Sequence, residues 1–246
     1  MFAELNAILN TSPDNFKRGE FILSFSHYSA VSQRLGVSLT QAKEKGQLLF
    51  LEGLNESLDV LLHKTPDTGS HALDFLRDPA VGLQGLYDFV RASVSDSGGA
   101  GGEDSGGVGS WGPPVLLVDD LTILLSLGVS VGSVLDFSHY CLVTVGSQLK
   151  GNTVMLVRCE GEEDEEEDGD EEGSEKLLKG LTHQSSLTLH VQGLPTGFCR
   201  DIHGQVEVCW RKTQRDKPTN QKKLFQYKVH DKGASFFARG TSSAVL

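Results

Sequence analysis

The sequence has four cysteines, and no two of them form a C-x-x-C pair. Their scattered spacing outlines neither a disulfide framework nor a redox motif. The nearest approach to a metal-binding pattern combines Cys199, His203 and Cys209, and no clear fourth ligand accompanies them. Because structural zinc sites use four ligands, we interpret these thiols as reduced and either buried or idle, and we predict no metal site.

Long apolar runs are also missing, since no run approaches the roughly 20 residues that a membrane-spanning helix needs. The first ten residues, MFAELNAILN, have neither a basic start nor an apolar stretch, so we expect no signal peptide. The sequence therefore predicts a protein of the cytoplasm, and also of the nucleus, that makes no membrane contact.

Acidic charge is concentrated in one segment. The chain carries a net charge of −11, and residues 160–172 alone hold 11 Asp and Glu with no Lys or Arg. The remainder of the chain is electrically balanced. The overall charge therefore does not exclude a nucleic-acid partner.

Two segments have the composition of disordered inserts. Residues 95–114 are rich in Gly and Ser, and residues 160–175 are strongly acidic. Neither segment can bury enough apolar surface to offset the entropy of ordering it. Because strand-like runs flank both closely, the sequence predicts a single domain, residues 1–246, that carries two inserts.

Strand-like and helix-like patterns alternate through most of the chain. Short apolar runs predict strands at 21–25, 47–51, 115–118 and 153–159. Apolar residues at helical spacing predict helices at 27–45, 52–63, 82–94, 121–127 and 131–149, with Ser38 as an N-cap inside the first. This order is typical of a parallel sheet covered by helices.

The last third of the chain has a different pattern. Residues 186–191 alternate between apolar and polar, which predicts a strand. Residues 198–210 predict a hairpin that turns at His203-Gly204, and residues 224–239 predict a second hairpin around Asp231-Lys232-Gly233. We therefore predict an α/β fold with a mainly parallel sheet and antiparallel hairpins at one edge.

Asp119 and Asp120 directly follow the apolar run at 115–118. In P-loop NTPases an acidic residue at this place holds magnesium, whereas elsewhere an Asp here caps the next helix. A working P-loop also needs G-x-x-x-x-G-K-[ST], and this chain contains no Gly-Lys dipeptide. We predict a degenerate acidic strand end without hydrolysis by the ordinary route, with no catalytic residue and no cofactor.

A repeated tripeptide, Ser26-His27-Tyr28 and Ser138-His139-Tyr140, offers paired hydroxyl and imidazole groups. Both copies lie at or within predicted helices, and no orienting acid stands near either one. We interpret them as packing or capping groups.

Six basic residues occur between two of the C-terminal strand patterns. They are Arg211, Lys212, Arg215, Lys217, Lys222 and Lys223, and only Asp216 opposes them within the segment. We predict a loop here, which either contacts RNA phosphates or is merely solvated. No aromatic residue interleaves with these cations to offer a stacking platform.

Several strings are long enough to be specific for a family: SFSHYSAVSQRLGVSLTQAKEKGQLLFLEGL, PVLLVDDLTILLSLG, VLDFSHYC, LTHQSSLTLHVQGLPTGFCRDIHGQ and YKVHDKGASFFARGTSSAVL. In these strings, which span nearly the whole chain, the sequence resembles the Elongator complex protein 6 family. The resemblance implies a RecA-like fold without a P-loop. It also implies a hexameric ring with two copies each of Elongator complex proteins 4 and 5, which binds tRNA and supports wobble-uridine modification. The acetyl-transfer chemistry belongs to a different subunit of that family's complex.

The chain departs from the RecA-like pattern near its start. Such a core normally places a strand, a phosphate-loop position, a helix and a strand before the segment that resembles residues 24–54. Here residues 19–24 lead directly into that segment, although a parallel crossover needs about a dozen residues or more. We predict a shortened form that lacks roughly forty residues, the size of a βαβ unit, and expect exposed apolar neighbours.

Three functions are compatible with these sequence features. The first is a non-catalytic ring subunit that supports tRNA modification, which we favour because the Gly-Lys dipeptide is missing. The second is an ATPase with an atypical site that uses Asp119 or Asp120 on magnesium. The third is a stand-alone RNA-binding module that works through residues 211–223.

Overall fold

The computed structural model describes residues 21–24, 39–51, 60, 72–96, 112–158, 171–197, 199–213, 218–230 and 233–239. Its strands are β1 (Phe21–Ser24), β2 (Val115–Val118), β3 (Asn152–Leu156), β4 (Leu187–Gln192), β5 (Gly204–Thr213), β6 (Pro218–His230) and β7 (Gly233–Ala238). They form one sheet in the order β2-β3-β1-β4-β5-β6-β7. The first four strands are parallel, and β4 to β7 are antiparallel. The predicted α/β class, with antiparallel strands at one edge, is confirmed.

The α-helices in the same ranges are α1 (Leu39–Glu44), α2 (Gln84–Asp96), α3 (Leu121–Ser126), α4 (Val131–Cys141) and α5 (Glu171–Gln184). Helix α4 continues directly as a π-helix, Leu142–Gln148. The predicted helix at 131–149 is therefore confirmed, with π-helical rather than α-helical hydrogen bonding in its last seven residues. The helices predicted at 82–94 and 121–127 are confirmed as α2 and α3. No helix in these ranges has the length and apolar composition needed to cross a bilayer.

The larger core lies between the parallel strands and their crossover helices. Helices α3 and α4 connect β2 to β3, and α5 lies on the connection from β3 to β4, as the parallel pairing requires. Fully buried side chains of this core come from α3, α4, β3 and α5: Leu121, Val134, Met155, Leu177 and Leu181. Helices α4 and α5 come very close at Gly180, where a Cβ atom would lie 2.7 Å from Leu135 Cδ2.

A second apolar cluster covers one face of the C-terminal strands. Its buried members are Leu187, Val206 and Val208, which alternate with polar residues along β4 and β5. The cluster reaches Val154 on β3, which lies opposite Leu117 on the terminal strand β2. Leu117 is 47% exposed and its neighbour Val115 is 64% exposed. The expectation that apolar neighbours of the missing segment are exposed stays a prediction.

Two predicted strands are wrong. Residues 47–51 are irregular and pair with no strand of the described sheet, and the apolar side chains of Leu49 and Phe50 are exposed. The predicted hairpin turning at His203-Gly204 is replaced by an irregular approach at 199–203 and one long strand, β5. Strand β4 supplies the antiparallel partner that the prediction had assigned to residues 198–202.

The remaining predictions are met in part. The strands at 21–25, 115–118, 153–159 and 186–191, and the hairpin at 224–239, correspond to β1, β2, β3, β4 and β6–β7. Of the helices predicted at 27–45 and 52–63, only residues 39–45 and Val60 are described. Residues 39–44 and Val60 are helical, Lys45 is in a turn, and Ser38 lies outside the described residues. Helix α2 ends at Asp96, so the first two residues of the predicted insert at 95–114 are helical. Helix α5 begins at Glu171, so the last five residues of the predicted insert at 160–175 are helical too. Residues 97–111 and 159–170 lie outside the described ranges.

Candidate functional site

The acidic end of β2 is a buried carboxylate that caps helix α3. Asp120 has extended backbone angles, and its Oδ1 accepts a hydrogen bond from the Thr122 backbone N–H at 2.8 Å. Its Oδ2 lies 2.7 Å from Arg158 Nε. The Asp120 side chain is 1% exposed, whereas that of Arg158 is 59% exposed. The helix-cap interpretation is confirmed for Asp120, while Asp119 is exposed beside it.

Thr122 completes a ring of contacts with these two residues. Its Oγ1 accepts a hydrogen bond from the Arg158 backbone N–H at 2.9 Å and lies 3.3 Å from the Arg158 carbonyl oxygen. The Asp120–Thr122–Arg158 network therefore joins the start of α3 to the chain just beyond β3. Arg158 is the member that sequence reasoning missed, because nothing in its local sequence marks it as a partner of Asp120.

The basic residues of the C-terminal third lie mostly on strands, so the predicted loop is wrong for them. Arg211 and Lys212 belong to β5, and Lys222 and Lys223 belong to β6. The two strands pair over ten positions, from Gly204↔Tyr227 to Thr213↔Pro218, which extends the hairpin through the segment that was predicted as a loop. Arg215 and Lys217 lie outside the described residues.

Two of these cations are engaged by the protein itself. Arg211 Nη1 contacts the carbonyl oxygens of Thr182 and His183 in the last turn of α5, a favourable place for a cation. Lys222 Nζ lies 2.6 Å from Glu207 Oε1 on the neighbouring strand. Asp216 is the only acidic residue within 211–223, but β-pairing also brings Glu207 close to the cluster from outside that segment.

The third cation lies against an aromatic ring. Lys223 Nζ is 5.7 Å from the centroid of the Trp210 ring, on the adjacent strand. Lys223 pairs with Val208, and side chains at diagonal positions of paired strands are within reach of each other on one face. The prediction that no aromatic accompanies the cations is therefore wrong, since Trp210 joins them through the sheet register.

Electrostatics around Glu207 follow from its two donors. The hydrogen bond from Lys222, with a further one from the Cys209 thiol at 3.2 Å, lowers the pKa of Glu207. The same hydrogen bond to Glu207 raises the pKa of Lys222. Burial, together with the hydrogen bond to Glu207, raises the pKa of Cys209 to about 11. Cys209 is therefore a neutral thiol at physiological pH and a poor nucleophile.

The three residues with metal-like spacing do not act together as ligands. His203 Nδ1 accepts a hydrogen bond from the Val229 backbone N–H at 3.1 Å, and the Cys209 thiol is directed to Glu207. Cys199 is a free, half-buried thiol. Within the ranges given above, no three His, Cys, Asp or Glu side chains are grouped so that they could hold a metal ion.

The second copy of the repeated tripeptide is split between two environments. Ser138 is fully buried in α4, whereas His139 is exposed and Tyr140 is 54% exposed. The Tyr140 ring packs against Tyr87 of α2, with ring centroids 5.5 Å apart. The first copy, Ser26-His27-Tyr28, lies outside the described residues.

The family model and the related proteins that match this chain all carry the same family name. The family model described as Elongation complex protein 6 matches residues 22–231. The chain is 53% identical to Elongator complex protein 6 of Danio rerio, with 100% of each chain covered. It is 44% identical to the protein of that name from Homo sapiens and 40% identical to that of Xenopus tropicalis, again with both chains fully covered.

These alignments are longer than the chain. The alignment with the Danio rerio protein spans 279 positions, whereas this chain has 246 residues. At least 33 positions of that relative therefore face no residue of this chain. This difference supports the predicted shortening, whose place near residue 24 stays a prediction.

Proposed function

Because the chain belongs to the Elongator complex protein 6 family, we propose that it is a subunit of the Elongator complex. The observation that carries this proposal is identity of 40–53% to proteins of that name over the full length of both chains.

The finer proposal is a place in a hexameric RecA-like ring. The ring contains Elongator complex proteins 4 and 5 with this subunit, two copies of each, and it supports wobble-uridine modification of tRNA. The parallel order β2-β3-β1-β4, with crossover helices between its strands, agrees with a RecA-like core. We expect the assembled protein in the cytoplasm and also in the nucleus.

The subunit's role in this proposal is non-catalytic. The chain has no Gly-Lys dipeptide to cradle phosphates, and the buried carboxylate of Asp120 already caps a helix and pairs with Arg158. The acetyl-transfer reaction belongs to another subunit. An ATPase with an atypical site is less well supported, because Asp120 is engaged by Thr122 and Arg158 and Asp119 is exposed.

The β5–β6 hairpin is the proposed place of contact with tRNA. Lys223 stands exposed over Trp210, which combines a cation with an aromatic surface on one side of the hairpin. Arg211 joins the hairpin to the last turn of α5 and adds positive charge, whereas Glu207 compensates the charge of Lys222. A stand-alone RNA-binding module is less well supported, because two of these three cations are already held by protein acceptors.

Co-purification tests the assembly directly. We expect the tagged full chain, co-expressed with Elongator complex proteins 4 and 5, to elute with both in equal amounts and at the mass of a hexamer. A stable monomer that captures neither partner would refute the proposal. ATP turnover is measured on the same preparation in Asp120→Asn and in Asp136→Asn, a control on α4 outside the acidic strand end. Turnover that falls only in Asp120→Asn would favour the ATPase.

A further inference from the structure

The carboxyl end of β2 holds one buried negative charge and one positive charge that neutralises it. Asp120 is 1% exposed, and a buried carboxylate without a counter-ion is strongly unfavourable. Arg158 Nε lies 2.7 Å from its Oδ2 and supplies a counter-ion from within the chain, although Oδ2 accepts no aligned hydrogen bond from the guanidinium. An always-protonated guanidinium provides this charge at every physiological pH.

The same place is where α/β sheets commonly receive ligands, just beyond the carboxyl ends of adjacent parallel strands. Strands β2 and β3 are parallel neighbours, and Asp120 and Arg158 each lie two residues beyond the end of their strand. A divalent cation at this carboxylate would lie beside a guanidinium of like charge. It would also need a hydrated octahedral shell, for which a side chain that is 1% exposed leaves no room.

Arg158 is held in this position by its own backbone. Its N–H donates to Thr122 Oγ1 at 2.9 Å, and Thr122 N–H donates to Asp120 Oδ1 at 2.8 Å. The side-chain ion pair closes the ring. Because the backbone contact does not depend on the guanidinium, the chain beyond β3 stays anchored to α3 while the head group reaches the carboxylate.

We infer that Arg158 is an internal counter-ion that takes the place of a divalent cation at the acidic end of β2. The stability of this end of the sheet therefore does not depend on divalent cations. The inference deepens the proposed non-catalytic role and rests on it, since that role requires no metal at Asp120. Arg158 is thus a positioning residue, which acts by balancing the buried charge of Asp120 at the start of α3.

The test compares the full chain with Asp120→Asn, Arg158→Met, Arg158→Lys and the double variant Asp120→Asn/Arg158→Met. Tm is measured against MgCl2, with NaCl at matched ionic strength as the control, and Mn²⁺ binding is followed by water-proton relaxation. Because the acidic residues 160–172 can bind cations in every variant, we expect the unaltered chain and Arg158→Lys to respond no more than Asp120→Asn does. Arg158→Met should lose about 3–6 °C in Tm, recover part of it with Mg²⁺ and bind Mn²⁺. The double variant should respond no more than Asp120→Asn does.

Two results would overturn the inference. One is Mn²⁺ binding by the unaltered chain that is abolished in Asp120→Asn. The other is an Arg158→Met chain whose Tm neither falls nor responds to Mg²⁺. If Arg158→Met does not fold, the unaltered chain and Arg158→Lys still decide, because cation binding by either that is lost in Asp120→Asn contradicts the inference. Failure to co-purify with Elongator complex proteins 4 and 5 would refute the proposed assembly without changing these readouts.

Discussion

Lys223 on β6 lies over the ring of Trp210 on β5, with its ammonium nitrogen 5.7 Å from the ring centroid. At an exposed site this cation–π contact is worth about 0.5–1 kcal/mol. The contact orders the lysine without neutralising it, so its full charge remains available to a phosphate. This distinguishes Lys223 from Lys222, whose charge is compensated by Glu207.

We therefore expect Lys223→Gln to weaken tRNA binding by the assembled ring. The salt slope should fall by about 0.7–0.9 for each phosphate that the lysine no longer neutralises. The measurement is tRNA affinity at several salt concentrations. Lys179→Gln removes an exposed lysine from α5 and serves as the matched control. Equal affinity and slope in the two variants would remove the hairpin as a tRNA-binding surface.

Glu207→Gln should abolish an acid-dependent part of the stability. Lys222 lowers the pKa of Glu207 in the folded chain, so the pair stabilises the fold above the ordinary glutamate pKa of about 4.3 and loses this effect as pH falls through the lower folded value. The difference from the unaltered chain should be at most about 1 kcal/mol near neutral pH, because Lys222 is exposed.

Urea unfolding at several pH values measures this difference. It should shrink towards zero in acid, and it should also shrink in strong alkali as Lys222, whose folded pKa is raised, loses its proton. Glu175→Gln on α5 is the control for removal of an exposed glutamate. A difference that stays constant from neutral pH into acid would contradict the assignment.

Gly180→Ala should destabilise the packing of α4 on α5. A Cβ atom would lie 2.7 and 2.9 Å from the two Leu135 Cδ atoms, so the leucine must move or the helices must separate. Overpacking of this kind costs about 1–3 kcal/mol, and Leu135→Val should recover part of that stability. Gly173→Ala on the same helix meets only 3.8 Å contacts and should stabilise by roughly 0.5 kcal/mol.

Chemical denaturation of the two single variants measures both effects. Opposite signs are expected for two glycine-to-alanine changes in one helix, so helix propensity alone cannot account for the result. Equal stabilisation by both would show that the helices tolerate a wider separation at Gly180.

Gly204→Ala should be more damaging, because part of the obstacle is backbone. A Cβ atom there would overlap the Gln192 carbonyl oxygen and lie 2.6 Å from the Tyr227 hydroxyl. Gln192 pairs with Gln205 at the end of the β4–β5 ladder, so relief requires a shift of that pairing. We expect a decrease of about 2–3 kcal/mol in unfolding free energy, whereas Gly193→Ala has nothing within 4 Å and should change it by less than about 0.5 kcal/mol. A similar small change in both variants would contradict the predicted crowding.

Features that depend on neighbouring residues could be predicted from sequence, and those that depend on distant partners could not. Asp120 as a helix cap is local, since its bond is to Thr122. Its ion pair with Arg158 exists only because β2 and β3 are adjacent in the sheet. For the same reason the composition of residues 211–223 correctly located a basic cluster but concealed Glu207 and Trp210.

The wrong hairpin at His203-Gly204 has a related cause. The alternating pattern of β5 predicts a strand correctly, but pattern alone does not say which strand it joins. Strand β4, separated from β5 by residues 193–203, provides that partner through pairs such as Leu189↔Val208. Apolar alternation in both strands was visible in the sequence, whereas their register was set by burial of one shared face.

The position of β1 between β3 and β4 affects how the chain is synthesised. Phe21–Ser24 leaves the ribosome before every other described strand, yet its hydrogen-bonding partners extend to Leu156 on one side and Leu189 on the other. The growing chain therefore carries a strand with two open edges until most of its length has emerged. Open strand edges are sites of mispairing, and distant contacts form slowly. This sheet therefore cannot be complete until residue 189 has been synthesised. Until then the unpaired strands are open to chaperones and partner subunits.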